Sequence, residues 1–405
     1  MNYYRMILIV LVLIGAGCNE NCDNLNITDP NFGVFIGFDN AVDRSHEENL
    51  QSMKEFKQTF GVGGENIRVG FTEMIRPIAE DAYGYEKDYR LNPERLNKIF
   101  QLSVETNTPF AIILLATQSG SGRGGGDLLD YLKQSPENVM WYADDTVSSD
   151  LGDGYEDFTF LSLSPYTEQV WYYRERNIRE VAILLSQFND EYPDLFAGIT
   201  TSAESSFPRK NENGLAGYEP GMVEAFQEQY GFGPPRREGA NHWDLWIKFR
   251  QQVVTDYVQS EVYWFWWAGI PKEKIYTHQV LPDWKPGRVE TGSTWDAVVA
   301  NKSNAGVAVY KYGEGQWFQC HNYKEVYHHN KGIGWAVSAG NPCANNDYDR
   351  ASSFLWDAYL NGAGMIIPGG WEPYKDSLVF AELCDIRIQD TEFETALIDF
   401  IKDLE

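Results

Sequence analysis

The sequence predicts an α/β fold, a (β/α)8 TIM barrel with long loops after strands three and four, and three observations lead to it. From residue 31 onward, short β-rich apolar runs alternate with amphipathic stretches of helical period. The apolar runs number eight. The two longest insertions follow runs three and four at their C-terminal ends, which is where barrel loops build sites. Apolar strands alternating with helices imply a parallel sheet covered on both faces. A doubly wound open sheet is the competing architecture, and the count of eight favours closure.

The elements follow in chain order. Met1 to Gly17 carries Arg5 as its only charge and an apolar run of nine, Met6 to Ile14, too short to span a bilayer. Small residues Gly15, Ala16 and Gly17 then precede Cys18. This segment resembles a bacterial lipoprotein signal, which implies cleavage before Cys18, lipidation of Cys18 and residence in the cell envelope. Residues 18–30 read as a polar tether, and residues 31–405 as one barrel domain with no dividing linker. Its strands are Gly33–Asp39, Asn66–Thr72, Phe110–Thr117, Phe196–Ala203, Lys274–Val280, Gly306–Tyr312, Gly334–Ser338 and Gly364–Pro368. Helices are expected over Glu47–Phe60, Asn92–Thr106, Thr167–Asp190, Trp243–Ala268, Tyr348–Asn361 and Thr391–Leu404. Pro93 suits a first helical turn, and Trp264 to Trp267 read as packing against the barrel. The insertions span Gln118–Pro165 and Ser205–Asn241.

A net charge of −26 disfavours nucleic acid, whose phosphates demand a cationic surface, and disfavours anionic membranes for the same reason. Membrane contact is expected through the lipid anchor alone, and the chain is expected to be a monomer. The 13 Trp, 24 Tyr and 22 Phe fill a core, and such rings also stack on the apolar faces of sugars. Among five cysteines, Cys320–Cys343 is the disulfide to test, with buried free thiols as the alternative. The glycine run 120–126 lacks the Lys-Ser/Thr ending of a phosphate loop. His321, His328 and His329 lack metal-ligand spacing, and neither a Gly-x-Ser-x-Gly elbow nor a dinucleotide fingerprint occurs. The chain reads as cofactor-free, with no metal.

Glu204 stands out. It follows the fourth apolar run, Phe196 to Ala203, and precedes Ser205, Ser206, Phe207 and Pro208. A carboxyl there is poorly placed for packing and well placed for a barrel mouth, although capping the next turn is the plain alternative. Glycosidic cleavage needs an acid for the leaving oxygen and a second carboxylate opposite. Burial among aromatics raises the pKa of such an acid.

Around this residue the chain resembles the (β/α)8 glycoside hydrolases whose acid/base ends strand four, β-galactosidase-like and β-amylase-like enzymes among them. The local stretches are Asp190 to Thr200 leading to Glu204, Tyr218 to Phe226, Trp243 to Arg250 and Ala268 to Gln279. The resemblance implies a glycoside hydrolase acting on an extracellular or periplasmic polysaccharide or oligosaccharide, with Glu204 as general acid. Two departures stand against it. Ala203 replaces the Asn that many relatives carry before the acid, and strand seven continues Trp335 to Pro342 without a carboxylate.

The second carboxylate is therefore sought on other strand ends. Glu314, in a Gly-flanked turn after strand six, is the first choice, with Glu372, Asp39, Glu73 and Asp347 as further candidates. Strand six is expected to face strand four across the mouth, a wide separation of the kind inverting hydrolysis uses. Substrate contacts are expected from Asp39, Arg68, Glu73, His278, Gln279, Tyr310, Trp317, Trp335, Asn341, Trp371 and Glu372, each near a strand. Arg68 fits an ion pair in the barrel core equally well, His278 a structural hydrogen bond, and each aromatic taken singly the core. A second function from another class stays open: a non-catalytic glycan-binding lipoprotein on a degenerate hydrolase barrel.

Overall fold

Phe35 alternates with Val34 and Ile36 on strand β1 (Gly33–Gly37), and the two-residue period decides which side of the sheet each serves. The computed structural model describes residues 28–38, 44–79, 81–115, 127–147, 163–201, 207, 209–210, 214–279, 306–310, 335–338, 347–368, 388 and 390–405. After β1 come β2 (Arg68–Ile75), β3 (Phe110–Leu114) and β4 (Phe196–Thr201). A short antiparallel hairpin, β5 (Arg209–Lys210) and β6 (Gly214–Leu215), stands outside the main sheet. Then follow β7 (Ile275–Gln279), β8 (Gly306–Tyr310), β9 (Trp335–Ser338) and β10 (Ala363–Ile367). Eight strands pair in parallel in the order β1-β2-β3-β4-β7-β8-β9-β10, and β10 pairs back onto β1 to close the barrel. Each of the eight expected runs supplies one barrel strand.

Two packed layers result from the alternation. Phe35, Ala111, Ile113, Ala197, Tyr276, Ala336, Met365 and Ile367 fill the barrel interior, large against small. Val34, Ile36, Phe71, Ile112 and Ile199 belong to the larger cluster formed with the helices. Gly70 shows how tightly the interior is filled. A Cβ there would stand 2.0 Å from the Pro109 carbonyl oxygen and 2.9 Å from the Phe35 ring.

The helix layer comprises α1 (His46–Phe60), α2 (Glu94–Thr106), α4 (Glu168–Glu191), α6 (Trp243–Trp267), α7 (Tyr348–Leu360) and α8 (Glu392–Leu404), all six expected from the sequence. The insertions add α3 (Asp127–Lys133) and α5 (Pro220–Tyr230). Ser45 starts α1 with a reciprocal capping box. Its hydroxyl accepts from the Glu48 amide (3.3 Å), and the Glu48 carboxylate accepts from the Ser45 amide (2.8 Å). Helices α4 and α6 are joined by a wholly buried ion pair, Arg174 Nη2 to Glu261 Oε1 at 2.7 Å. The Arg174 guanidinium also donates to the Tyr257 carbonyl at 2.9 Å and lies against the Tyr257 ring. At the end of α6, Trp264 and Phe265 are buried as expected, but Trp266 and Trp267 are 45% and 54% exposed, so only half of that aromatic run packs on the barrel. Among the described residues no helix is long and apolar enough to cross a membrane.

Candidate active site

All eight strands run the same way, so their C-terminal ends define one mouth. There β4 ends in Thr200 and Thr201, both fully buried, and β7 ends in His278 and Gln279. Tyr310 is the last residue of β8, and Ser338 the last of β9. The backbone positions of His278, Gln279 and Tyr310 thus fall at the mouth. His278 pairs with Ala308, and Tyr310 with Ser338.

Several candidates lie elsewhere. Arg68 opens β2 and pairs with Gly33, the first residue of β1, at the face opposite the mouth. Its guanidinium donates twice to the Asn31 carbonyl, at 3.0 and 2.6 Å, beside Asp29 and the buried Tyr276. It closes the barrel floor, where burial lowers its pKa and the neighbouring Tyr276 and Asp29 oppose that shift. Trp335 opens β9 and pairs with Ala363, the first residue of β10, again at the floor. Glu73 lies inside β2 rather than after it, because that strand continues to Ile75. It is paired with Ile112 and shares the face of Phe71 and Ile75, which packs against the helices. Asp347 caps α7, its carboxylate accepting from the Arg350 amide at 3.1 Å. Arg68, Glu73 and Asp347 therefore have structural surroundings away from the barrel interior at the mouth, and the backbone of Trp335 lies at the floor.

Cys18, Asp39, Glu204, Glu314, Trp317, Asn341, Trp371 and Glu372 lie outside the described residues, as do the cysteines of the expected disulfide. In sequence, Glu204 comes three residues after β4 and Glu314 four after β8. The strand order corrects one expectation. Only β7 separates β4 from β8, so the two strand axes are about 10 Å apart. It is β10, the strand before Trp371 and Glu372, that stands across the barrel from β4.

Beside β3 and β4 the two insertions fold together into a wall with its own core. Met140, Phe207, Tyr218, Met222, Phe226, Trp246 and Phe249 form that core. The amides of Gly217 and Tyr218 both donate to the Trp141 carbonyl, at 2.9 and 3.0 Å. Arg236 donates to the Ala143 carbonyl (2.7 Å) and to Asp145 (2.6 Å). Two charged groups are sunk in this wall. Arg250 of α6 is fully buried, its guanidinium 4.5 Å from the Phe207 ring. Glu219 is fully buried at the start of α5, and Ser164 donates to its Oε1 at 3.0 Å. Burial pushes the Glu219 carboxyl up to about 7, against the opposing hydrogen bonds and the Arg250 charge.

Sequence reasoning passed over Glu219 and the helix it starts. The signs were there: Pro220 at a first helical position, Met222 and Phe226 four apart, and Gly231 in the left-handed C-terminal position at φ 80°. Nothing in the sequence marks Ser164 as the partner, since the two lie 55 residues apart.

No family model matches the sequence, and no curated protein matches it. Solved structures do. The catalytic domain of beta-amylase from Paenibacillus polymyxa matches with TM-score 0.62 and 12% identity, over 94% of this chain and all of that one. Gan42B, a GH42 beta-galactosidase, matches with TM-score 0.55 and 11% identity, over 93% of this chain and 57% of that one. The glycoside hydrolase domain of PgaB (BpsB) from Bordetella bronchiseptica matches with TM-score 0.52 and 10% identity, over 88% of this chain and 99% of that one. The barrel strand order and these likenesses agree: the chain has the (β/α)8 fold found in these glycoside hydrolases.

Proposed function

We propose that the chain is a glycoside hydrolase that cleaves an extracellular or periplasmic polysaccharide or oligosaccharide by carboxyl acid/base catalysis. One observation carries the reading most: the closed parallel barrel ends its fourth strand at Thr201, three residues before Glu204, beside a wall made from the two insertions. Glu204 is the general acid, giving its proton to the glycosidic oxygen as the C–O bond breaks. Glu314 is its partner, either taking a proton from the attacking water or attacking the anomeric carbon itself. Asp39, His278, Gln279, Tyr310, Trp317, Asn341, Trp371 and Glu372 supply stacking and hydroxyl contacts. Arg68 and Trp335 are left out because they open their strands at the floor, and Glu73 because it shares the face packed against the helices.

Export and lipid anchoring at Cys18 belong to the same proposal, with a monomer in the cell envelope. The described chain enters at the barrel floor, where Asp29 and Asn31 adjoin Arg68. A tether over residues 18–30 would join that floor, leaving the mouth to face away from the lipid. The test is hydrolysis across bacterial, plant and algal polysaccharides, with the anomer of the fresh product read by NMR. Cleavage is the expected outcome, and the anomer then assigns Glu314 as base or nucleophile. Binding without cleavage of any glycan favours the rival, a glycan-binding protein on a degenerate barrel. That reading draws on the seventh barrel strand, Trp335–Ser338, and the sequence after it as far as Pro342, which hold no carboxylate.

A further inference from the structure

The two insertions meet at a carboxyl that has no route to water. Glu219 starts α5 in the second insertion and is 0% exposed. Its Oε1 accepts the Ser164 hydroxyl, from the first insertion, at 3.0 Å, while Oε2 has no hydrogen-bond partner among the described residues. Around this point backbone bonds join the wall above its apolar core: Gly217 and Tyr218 on the Trp141 carbonyl, and a bridge between Tyr142 and Ala216. Those bonds join the same two insertions as Ser164 and Glu219. We propose that Glu219 is a proton-operated latch, which fastens the two insertions into one wall while protonated and loosens them on losing the proton.

The reason is desolvation. A neutral carboxyl accepts from Ser164 and has one O–H to place, whereas a carboxylate sealed from water carries a full charge and asks for several donors. The groups facing it, beginning with its own backbone amide, favour the carboxylate, but together they do not offset the desolvation. From the first insertion come Ser164, the Trp141 backbone and Tyr166, and from α6 comes Arg250, whose attraction is the smallest of the recorded effects on Glu219. Tyr218 precedes it, under the charges of Arg250 and Arg236. Burial, with Asp256 and Glu219 adding to it, pushes Tyr166 up to about 12, and burial also raises Tyr218, so both phenols keep their protons near neutrality. A guanidinium keeps its charge throughout. Glu219 alone among these groups changes charge there, at about 7 instead of the ordinary 4.5.

The latch depends neither on Glu204 nor on the glycan reading, and its test needs no substrate. Hydrogen exchange of the full chain is followed at the amides of Gly217 and Tyr218 from pH 5 to pH 9, corrected for intrinsic rates. If opening exposes Glu219 to water, the opening constant rises about tenfold between pH 6 and pH 8, by linkage from the two pKa values. Glu219→Gln, which keeps an acceptor for Ser164 without the charge, is expected to hold that constant level. Ser164→Ala removes a bond that favours the carboxylate, so the step moves to higher pH. A level wild-type profile overturns the latch, as does a tenfold rise in Glu219→Gln. If Glu219→Gln does not fold, a Ser164→Ala step at the wild-type pH overturns it too.

Discussion

Arg174 shows what one residue costs and returns in this fold. Its guanidinium is wholly buried between α4 and α6, yet it meets Glu261, the Tyr257 carbonyl, Ser260 and the faces of Tyr257, Trp171 and Trp264. Removing one member of such a pair leaves the other charge in a poorly solvating place, at about 3–5 kcal/mol. Arg174→Met is therefore expected to lower the urea midpoint strongly, and Arg174→Met with Glu261→Leu to regain much of the loss. Equal midpoints for the single and double variants would contradict the pairing argument. Nothing in the sequence singles out this pair, because Arg174 and Glu261 are 87 residues apart. What the sequence does show is that each sits on a long helix beside aromatics.

At the scale of elements the sequence is more informative. All eight strands and six helices fall where apolar period and caps put them, because short parallel strands are apolar on both faces. The ends are less legible. Polarity ends the second strand at Thr72, whereas β2 reaches Ile75, which makes Glu73 a buried strand residue instead of a rim one. An acidic residue reads as a strand end when polarity is the only guide, and only the pairing with Ile112 shows otherwise. Pairing also sets the demand for glycine. Gly70→Ala drives a methyl into the Pro109 carbonyl, which backbone cannot yield cheaply, whereas Gly231 has open space and only a positive φ of 80°. The expected cost is about 1 kcal/mol for Gly231→Ala, and a much larger loss of thermal stability for Gly70→Ala. Comparable melting temperatures for the two variants would count against the crowded interior.

For the molecule as a whole, closure of the barrel gives function its address. Closure makes one mouth from eight strand ends, and it brings His278, Gln279 and Tyr310 to the same end as the last residues of β4. It also separates them from Arg68 and Trp335 at the floor, a distinction that sequence order alone does not make, since both lie in strands. The wall beside β3 and β4 was legible only as two long loops. Its core comes from residues of both insertions and of α6, and contacts between distant segments leave no local period to read. The central claim is that Glu204 works as the acid at this mouth. The most direct measurement is kcat of Glu204→Gln against wild type on a glycan the wild type cleaves, with folding of the variant verified by its melting temperature. Loss of acid catalysis predicts a fall of about 100- to 10,000-fold, whereas a variant that cleaves at the wild-type rate would contradict the account.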